Sequence, residues 1–422
     1  MEKYLKCGYL MKWFKPSYTV FSGENVWSEF FTALRCLFFG MPNQDTVKQF
    51  EIEYAKTSGC RFAIAFGAGR MALYAILRTV NIGKNDEVIL QAFTCNVVPR
   101  AIRSVCAQPV YVDIEAKDFN IDISQIDKAI TDKTRAIIVQ HSFGIPPNLE
   151  LIKKVIGDRN ILIIEDCAHA FKPAKYYDIN ATSDFVFFST DHTKPLNTQV
   201  GGVACTESEQ DAEQLRLLAM RASRLSFLQR IRMIITFLMG FLCHRPYLFP
   251  FLRVILAAMN RLKISFVWPD EHQIASQGVD NGFYSMTPFQ AFLGLSQLRR
   301  IDENIMHRRA MFDRLQSSIG WYKSHQSIPV LRYAFLVSSR PSFLKGLCYG
   351  LSKSVWFDSP ISGGRSVYQD VRYEEGSCPV AEIVSQHIVN ISITSKMPIS
   401  LLKQFDQFDK KSLFSINEYN DE

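Results

Sequence analysis

At 422 residues the chain is too long for one ordinary domain, and two or three are expected. With 47% hydrophobic and 21% charged residues it cannot be a disordered or collagen-like chain, and it has the apolar material for a sizeable core. The formal charge of +7 is local: nine of the 48 Lys and Arg lie in 215–268, which holds no Asp or Glu, and the remainder carries 39 basic against 41 acidic residues, so nucleic-acid binding is not indicated.

Residues 1–44 read as an N-terminal segment. Its first twenty residues, MEKYLKCGYLMKWFKPSYTV, contain no uninterrupted apolar h-region and no small-residue cleavage site, so a cytoplasmic protein is expected. The ten cysteines are scattered singly, without a C-x-x-C pair. That argues against a disulfide scaffold or structural zinc site and fits a reducing compartment; no metal is expected.

From 45 to 210 short apolar runs alternate with helical patterns. Strands are expected at 61–66 (RFAIAF), 87–90 (EVIL), 109–114 (PVYVDI), 135–140 (RAIIVQ), 161–165 (ILIIE), 184–189 (DFVFFS) and 202–205 (GVAC). Helices are expected between several of them, at 124–130 and 148–156 among others. Runs of Ile, Val and Phe without alternation suit strands buried on both faces. The reading is an α/β fold with a mostly parallel central sheet flanked by helices, and ligand residues at the carboxyl ends of strands.

The stretch 211–277 departs from this pattern and reads as a basic, apolar helical insertion. Its apolar runs, 233–243 and 247–252, are too short to span a bilayer. A helix returns at 287–298 (TPFQAFLGLSQL), with Thr287 as N-cap and Pro288 in the first turn, inside a return segment 278–299. Residues 300–422 read as a smaller C-terminal α+β domain opened by a long helix.

Three sites in the large domain could carry chemistry. Gly67-Ala68-Gly69-Arg70 lies between a strand and a helix, where backbone N–H groups can meet a phosphate; a plain tight turn accounts for it equally. Asp166 ends an apolar strand with His169 three residues on, which suits an acid–base couple, half a metal site or a simple helix cap. Lys194 follows the very apolar strand 184–189 in Ser189-Thr190-Asp191-His192-Thr193-Lys194, ahead of Gly201-Gly202. A lysine is usually a solvated charge, but a desolvated one becomes a nucleophile.

In this order and spacing, the three sites resemble the DegT/DnrJ/StrS family of sugar aminotransferases, which depend on pyridoxal 5′-phosphate (PLP) and share the aspartate-aminotransferase fold, fold type I. The matching stretches include FAIAFGAGRMALYAIL, IIEDCAHA, FFSTDHTK and MTPFQAFLGLSQLRRIDENI. The resemblance implies that Lys194 forms the Schiff base with PLP and shuttles the proton. It implies that Asp166 pairs with the pyridinium nitrogen and that His169, where the family usually has Gln, lies near the ring hydroxyl. Ala68, Gly69 and Arg70, with Ser189, would hold the phosphate. Departures from the family pattern fall at Phe93 or Cys95 for the residue stacked on the ring, and at Phe283-Tyr284-Ser285-Met286, where Asn281 would have to replace the Asn that reaches a partner subunit's phosphate. Asp191 stands where the family has His.

The implied activity is transfer of an amino group from an amino-acid donor, glutamate or glutamine, to a keto-sugar on a nucleotide or lipid carrier, in polysaccharide, glycolipid or amino-sugar biosynthesis. A homodimer is implied. A PLP-dependent sugar dehydratase, an amino-acid lyase or a non-catalytic membrane-associated member of the fold are the alternatives. The family's dehydrases replace the lysine with His, so Lys194 favours transfer. For 215–268, basic residues flanking short apolar runs suit a peripheral membrane surface, possible partners being anionic head groups, or equally a hairpin packed on the protein's own core.

Overall fold

The computed structural model describes residues 24–171, 183–248, 283–323, 327–347 and 351–416, with Tyr18 and a few positions between 254 and 266. Seven strands form the central sheet: β1 (Phe62–Phe66), β2 (Glu87–Gln91), β3 (Gln108–Val112), β4 (Thr134–Gln140), β5 (Leu162–Asp166), β6 (Phe185–Ser189) and β7 (Gly202–Thr206). Their order is β1-β7-β6-β5-β4-β2-β3. β7 runs antiparallel to both of its neighbours and all other pairings are parallel.

All seven expected strands form, with ends displaced by at most two residues. The lack of hydrophobic alternation has the anticipated cause. Ile64, Phe66, Ile138 and Ile164 pack into one cluster, while their neighbours Ala63, Ile137 and Ile163 pack into others across the sheet. Side chains alternate between faces, and both faces are covered. β3 stops at Val112 because the next residue, Asp113, turns its carboxylate onto the N–H groups of Val380 and Ala381, both at 2.8 Å, where it caps the Pro379–His387 helix.

Since β1 and β6 both oppose β7, they run alongside β2, β4 and β5. The carboxyl ends of these strands therefore meet at one edge, and Gly202, which pairs with both Phe66 and Ser189, lies there too. After the long Ile301–Ile319 helix, β8 (Arg332–Leu336) and β9 (Ile388–Ser392) form an antiparallel pair. Their core includes Tyr333, Phe335 and Val389 and is continuous with Phe93, Phe119 and Phe143 beside the large sheet.

In the basic stretch, the Glu209–Arg221 helix packs on β1 and β7. The Phe227–Cys243 helix starts at a capping box between Ser226 and Gln229. It buries Met233, Ile234, Phe237, Leu238 and Phe241 in a cluster with Ala33 and Cys36 of the Trp27–Phe39 helix and with Phe289 and Leu293. This helix has the packed arrangement of the two readings above. Among the described residues no helix is long and apolar enough to cross a membrane.

Candidate active site

A cavity of about 450 Å³ lies at the carboxyl edge of the sheet. β1 leads into its first wall. Gly67 N–H donates to the Tyr284 carbonyl at 2.9 Å, and Ala68 is the extended N-cap of the Gly69–Thr79 helix, with no side-chain cap. First-turn N–H groups have no acceptor within their own helix, which makes such an end suited to an anion. Ala68, Gly69 and Arg70 line the cavity together with Ser189. Space is tight at Gly69 and absent at Gly202. A Cβ on Gly69 would stand 3.0 Å from Ser189 Cβ, and one on Gly202 would stand 2.5 Å from the carbonyl carbon and oxygen of Ala68.

β5 delivers Asp166, which is 3% exposed. One carboxylate oxygen accepts the Ala168 N–H at 2.9 Å. Burial pushes its pKa up to about 6, against the pull of that N–H and of the Lys194 charge. The preceding residue points elsewhere: Glu165 meets His141 Nε2 at 2.6 Å and accepts from Ser183 Oγ at 2.6 Å. Alternation along the strand thus gives two adjacent carboxylates different partners.

His169 is buried, and its Nδ1 accepts the Phe143 N–H at 3.3 Å, which assigns the ring proton to Nε2. Burial holds its pKa well below the usual range, with Lys194 and Arg332 adding to the effect, so the ring is neutral. Its centroid is 5.4 Å from that of Trp356 and 5.6 Å from that of Phe357.

Lys194 sits in the turn after β6. Its backbone N–H donates to the Asp191 carbonyl at 2.9 Å, and Thr190 and Thr198 bond across the loop through their hydroxyls at 2.6 Å. The Nζ lies 4.9 Å from the centroid of Trp356. Burial lowers the lysine pKa; Asp191, Cys95 and Asp166 oppose the shift, and Arg332 reinforces it. A fraction of neutral amine at ordinary pH is what a nucleophilic lysine requires.

Of the residues expected from sequence, Ala68, Gly69, Arg70, Asp166, His169, Ser189 and Lys194 meet on this one cavity. Phe93 does not line it. Its backbone has φ +68°, and its ring packs with Phe119, Phe143 and Phe357, so the wall at that strand end is Cys95. Asn281 lies outside the described residues. Sequence reasoning missed Gln140, Trp356, Phe357, Asp358 and Ser362, all of which line the cavity. Gln140 ends an expected strand and was open to discovery by the strand-end rule. The other four come from the C-terminal part, where no motif marks them.

A sequence profile of the DegT/DnrJ/EryC1/StrS aminotransferase family matches residues 39–235. The matched stretch takes in the large sheet and its carboxyl-edge motifs, a little under half of the chain. Similar proteins include a spore coat polysaccharide biosynthesis protein of Bacillus subtilis, 28% identical over 69% of this chain and 64% of the relative. Another is a GDP-perosamine synthase of Caulobacter vibrioides, 28% identical over 66% of this chain and 61% of the relative. The chain spans about half to two thirds of the length of the first such relatives.

Solved structures share the fold. An aminotransferase from Psychrobacter cryohalolentis superposes with a TM-score of 0.68 at 20% identity, covering 91% of this chain and 96% of the other. A GDP-4-keto-6-deoxy-D-mannose-3-dehydratase from E. coli, solved with hydrated PLP, superposes with a TM-score of 0.68 at 18% identity, covering 95% of this chain and all of the other.

DegT/DnrJ/EryC1/StrS enzymes depend on PLP, and the cavity passes a test of fit to it. A helix N-terminus with a glycine-only approach suits a phosphate. A buried carboxylate suits a protonated ring nitrogen, and a desolvated lysine suits an aldehyde.

Proposed function

We propose that this chain is a PLP-dependent aminotransferase. It moves an amino group from an amino-acid donor, glutamate or glutamine, to a keto-sugar on a nucleotide or lipid carrier. The observation that carries the reading is that Asp166 and Lys194 share one cavity with the anion-ready turn Ala68–Arg70. The sugar class draws support from relatives named as GDP-perosamine synthase and as a dTDP-amino-sugar transaminase.

When bound, the cofactor supplies an electron sink for the pair left at the nitrogen-bearing carbon. The chain's residues do the rest. Backbone N–H groups at Ala68, Gly69 and Arg70, with the Ser189 hydroxyl, hold the phosphate. Asp166 is ionised at neutral pH, since its pKa is about 6, and can keep a ring N–H protonated. Neutral His169 has its Nε2–H to offer the ring hydroxyl. Lys194 Nζ would hold the aldehyde carbon until the donor's amine displaces it; the freed amine could then take a proton from the donor's Cα and return it to the former aldehyde carbon, across the nitrogen. One lysine serves both half-reactions, and its presence speaks against the dehydratase branch.

A cytoplasmic homodimer belongs to the same proposal. Trp27, Phe31, Phe38 and Phe39 are exposed on one helix and offer an apolar surface for a second copy. A peripheral membrane contact of 215–268 is the competing use of that side of the molecule, supported by exposed Phe227 and Leu228 near Arg224 and Arg230. Sedimentation with and without anionic vesicles separates the two.

The deciding experiment is the visible spectrum of the purified protein, with and without borohydride, beside Lys194→Ala. A yellow protein in which reduction fixes the cofactor to Lys194, and whose visible band falls on adding glutamate or glutamine, is expected. A colourless protein that takes up no PLP sinks the proposal.

A further inference from the structure

The loop after β6 holds a pair of residues that the roles above leave unused. Asp191 lines the cavity together with Lys194. One of its carboxylate oxygens lies 2.9 Å from His192 Nδ1. The other accepts from the Thr193 N–H at 3.1 Å and the Thr193 hydroxyl at 3.0 Å, which fixes the group in place. His192 Nδ1 also lies 3.3 Å from the Gln199 carbonyl. A ring nitrogen between a carboxylate and a carbonyl bears hydrogen, so Nε2 is the nitrogen that titrates. The His192 side chain is 48% exposed and exchanges protons with solvent.

We propose that Asp191 is a counter-ion shared by Lys194 in the cavity and His192 at its rim, so that His192 governs the protonation of Lys194. The two are positioning residues, and the proposal rests on the reading of Lys194 as the cofactor-binding lysine. One carboxylate cannot fully compensate two cations. When His192 takes a proton from solvent, Asp191 and His192 become a neutral pair, Lys194 loses its counter-charge, and Nζ releases a proton. When His192 gives its proton back, the bare carboxylate holds a proton on Nζ. The proton count is conserved in this exchange, and the two sites titrate as a coupled pair.

The surrounding charges are compatible with this. Burial pushes the Asp191 carboxyl up, but His192 and Lys194 outweigh it and hold it down at about 2. Burial pulls His192 down and Asp191 outweighs it, so the imidazole is raised. His244, at the end of the Phe227–Cys243 helix, also faces His192; burial and His192 push it down to about 4, so it is neutral in the relevant range. Lys194 further faces Cys95, Asp166 and Arg332. Burial pushes Arg332 down only to about 9, leaving it a constant charge near neutrality. Burial raises Asp166 to about 6, and the Lys194 charge pulls it down.

The test is a pH titration of the visible band of the PLP-loaded full-length protein, in wild type, His192→Gln and Asp191→Asn. The wild-type curve is expected to be broad. His192→Gln should sharpen it and move it to higher pH, and Asp191→Asn should move it to lower pH by about one unit or more. A His192→Gln curve that superposes on wild type overturns the proposal, whatever Asp191→Asn does. A second measurement needs no cofactor: the His192 ring followed by NMR in wild type and Lys194→Met. Loss of the lysine charge should raise the His192 pKa. If no visible band forms and this NMR shift is still seen, the cofactor reading fails while the shared counter-ion stands; an unmoved His192 overturns the counter-ion.

Discussion

Gly202 and Ala68 approach so closely that a Cβ on the glycine would meet the carbonyl of Ala68 at 2.5 Å. This contact joins the start of β7 to the turn that would hold a phosphate, so a strand position and a binding position are mechanically one. The clash would be with backbone, which cannot rotate away.

Gly202→Ala should therefore cost at least ~1–3 kcal/mol and weaken PLP binding as well. Gly240→Ala is the control. Gly240 lies inside the Phe227–Cys243 helix, and nothing comes within 4 Å of a Cβ placed there. That change should be neutral or stabilise by up to ~1 kcal/mol. Thermal melts of the two variants compare them directly.

Asp166 makes a pH-dependent prediction. Its folded pKa, about 6, lies above the ordinary 3.8. A carboxyl raised on folding binds its proton more tightly in the native state, so stability is present below about pH 3.8 and is lost as pH rises through about 6. In cofactor-free protein, Asp166→Asn should thus stabilise by about 1–3 kcal/mol at pH 7.5 and leave pH 4 nearly unchanged. The same variant should bind PLP poorly. Equal melting shifts at both pH values would refute the buried-charge argument.

Glu24 and Arg308 form a buried ion pair at 2.7 Å, and Arg308 also donates to the Ile393 carbonyl at 2.8 Å. This pair ties the residues ahead of the Trp27–Phe39 helix to the Ile301–Ile319 helix. Removing one partner strands a charge in a dry site, so Glu24→Ala should cost about 3–5 kcal/mol. Urea denaturation gives the number, and a loss below about 1 kcal/mol would mean that water reaches Arg308.

The basic stretch can be probed by helix face. Phe237 is buried against Phe289, with ring centroids 5.6 Å apart, whereas Phe227 is 70% exposed. Phe237→Ala should destabilise by about 3–5 kcal/mol and Phe227→Ala by no more than ~0.5 kcal/mol. The reverse pattern would mean that the helix is not packed on this core.

Much of the site was legible from residues alone, for local reasons. Gly67–Arg70 and Lys194 follow strands whose apolar runs are unmistakable because both faces of the sheet are buried. Asp166 ends such a run. Once those runs are parallel strands of one sheet, their carboxyl ends must converge, so three distant motifs become one cavity. Thr287 and Pro288 marked a helix start because a cap is chemistry within a few residues.

What no local pattern could decide was the outcome of packing between distant segments. Trp356 and Ser362 reach the cavity because β8, β9 and their helices dock beside it, and nothing in their immediate neighbours encodes that destination. At the end of β2, the backbone turn at Phe93, with its positive φ, decides that Cys95 and not the phenyl ring lines the cavity. The apolar face of Phe227–Cys243 suits a lipid surface and a protein core equally well, because hydrophobicity carries no address. Only the presence of Cys36, Phe289 and Leu293 against that face assigns it to the core.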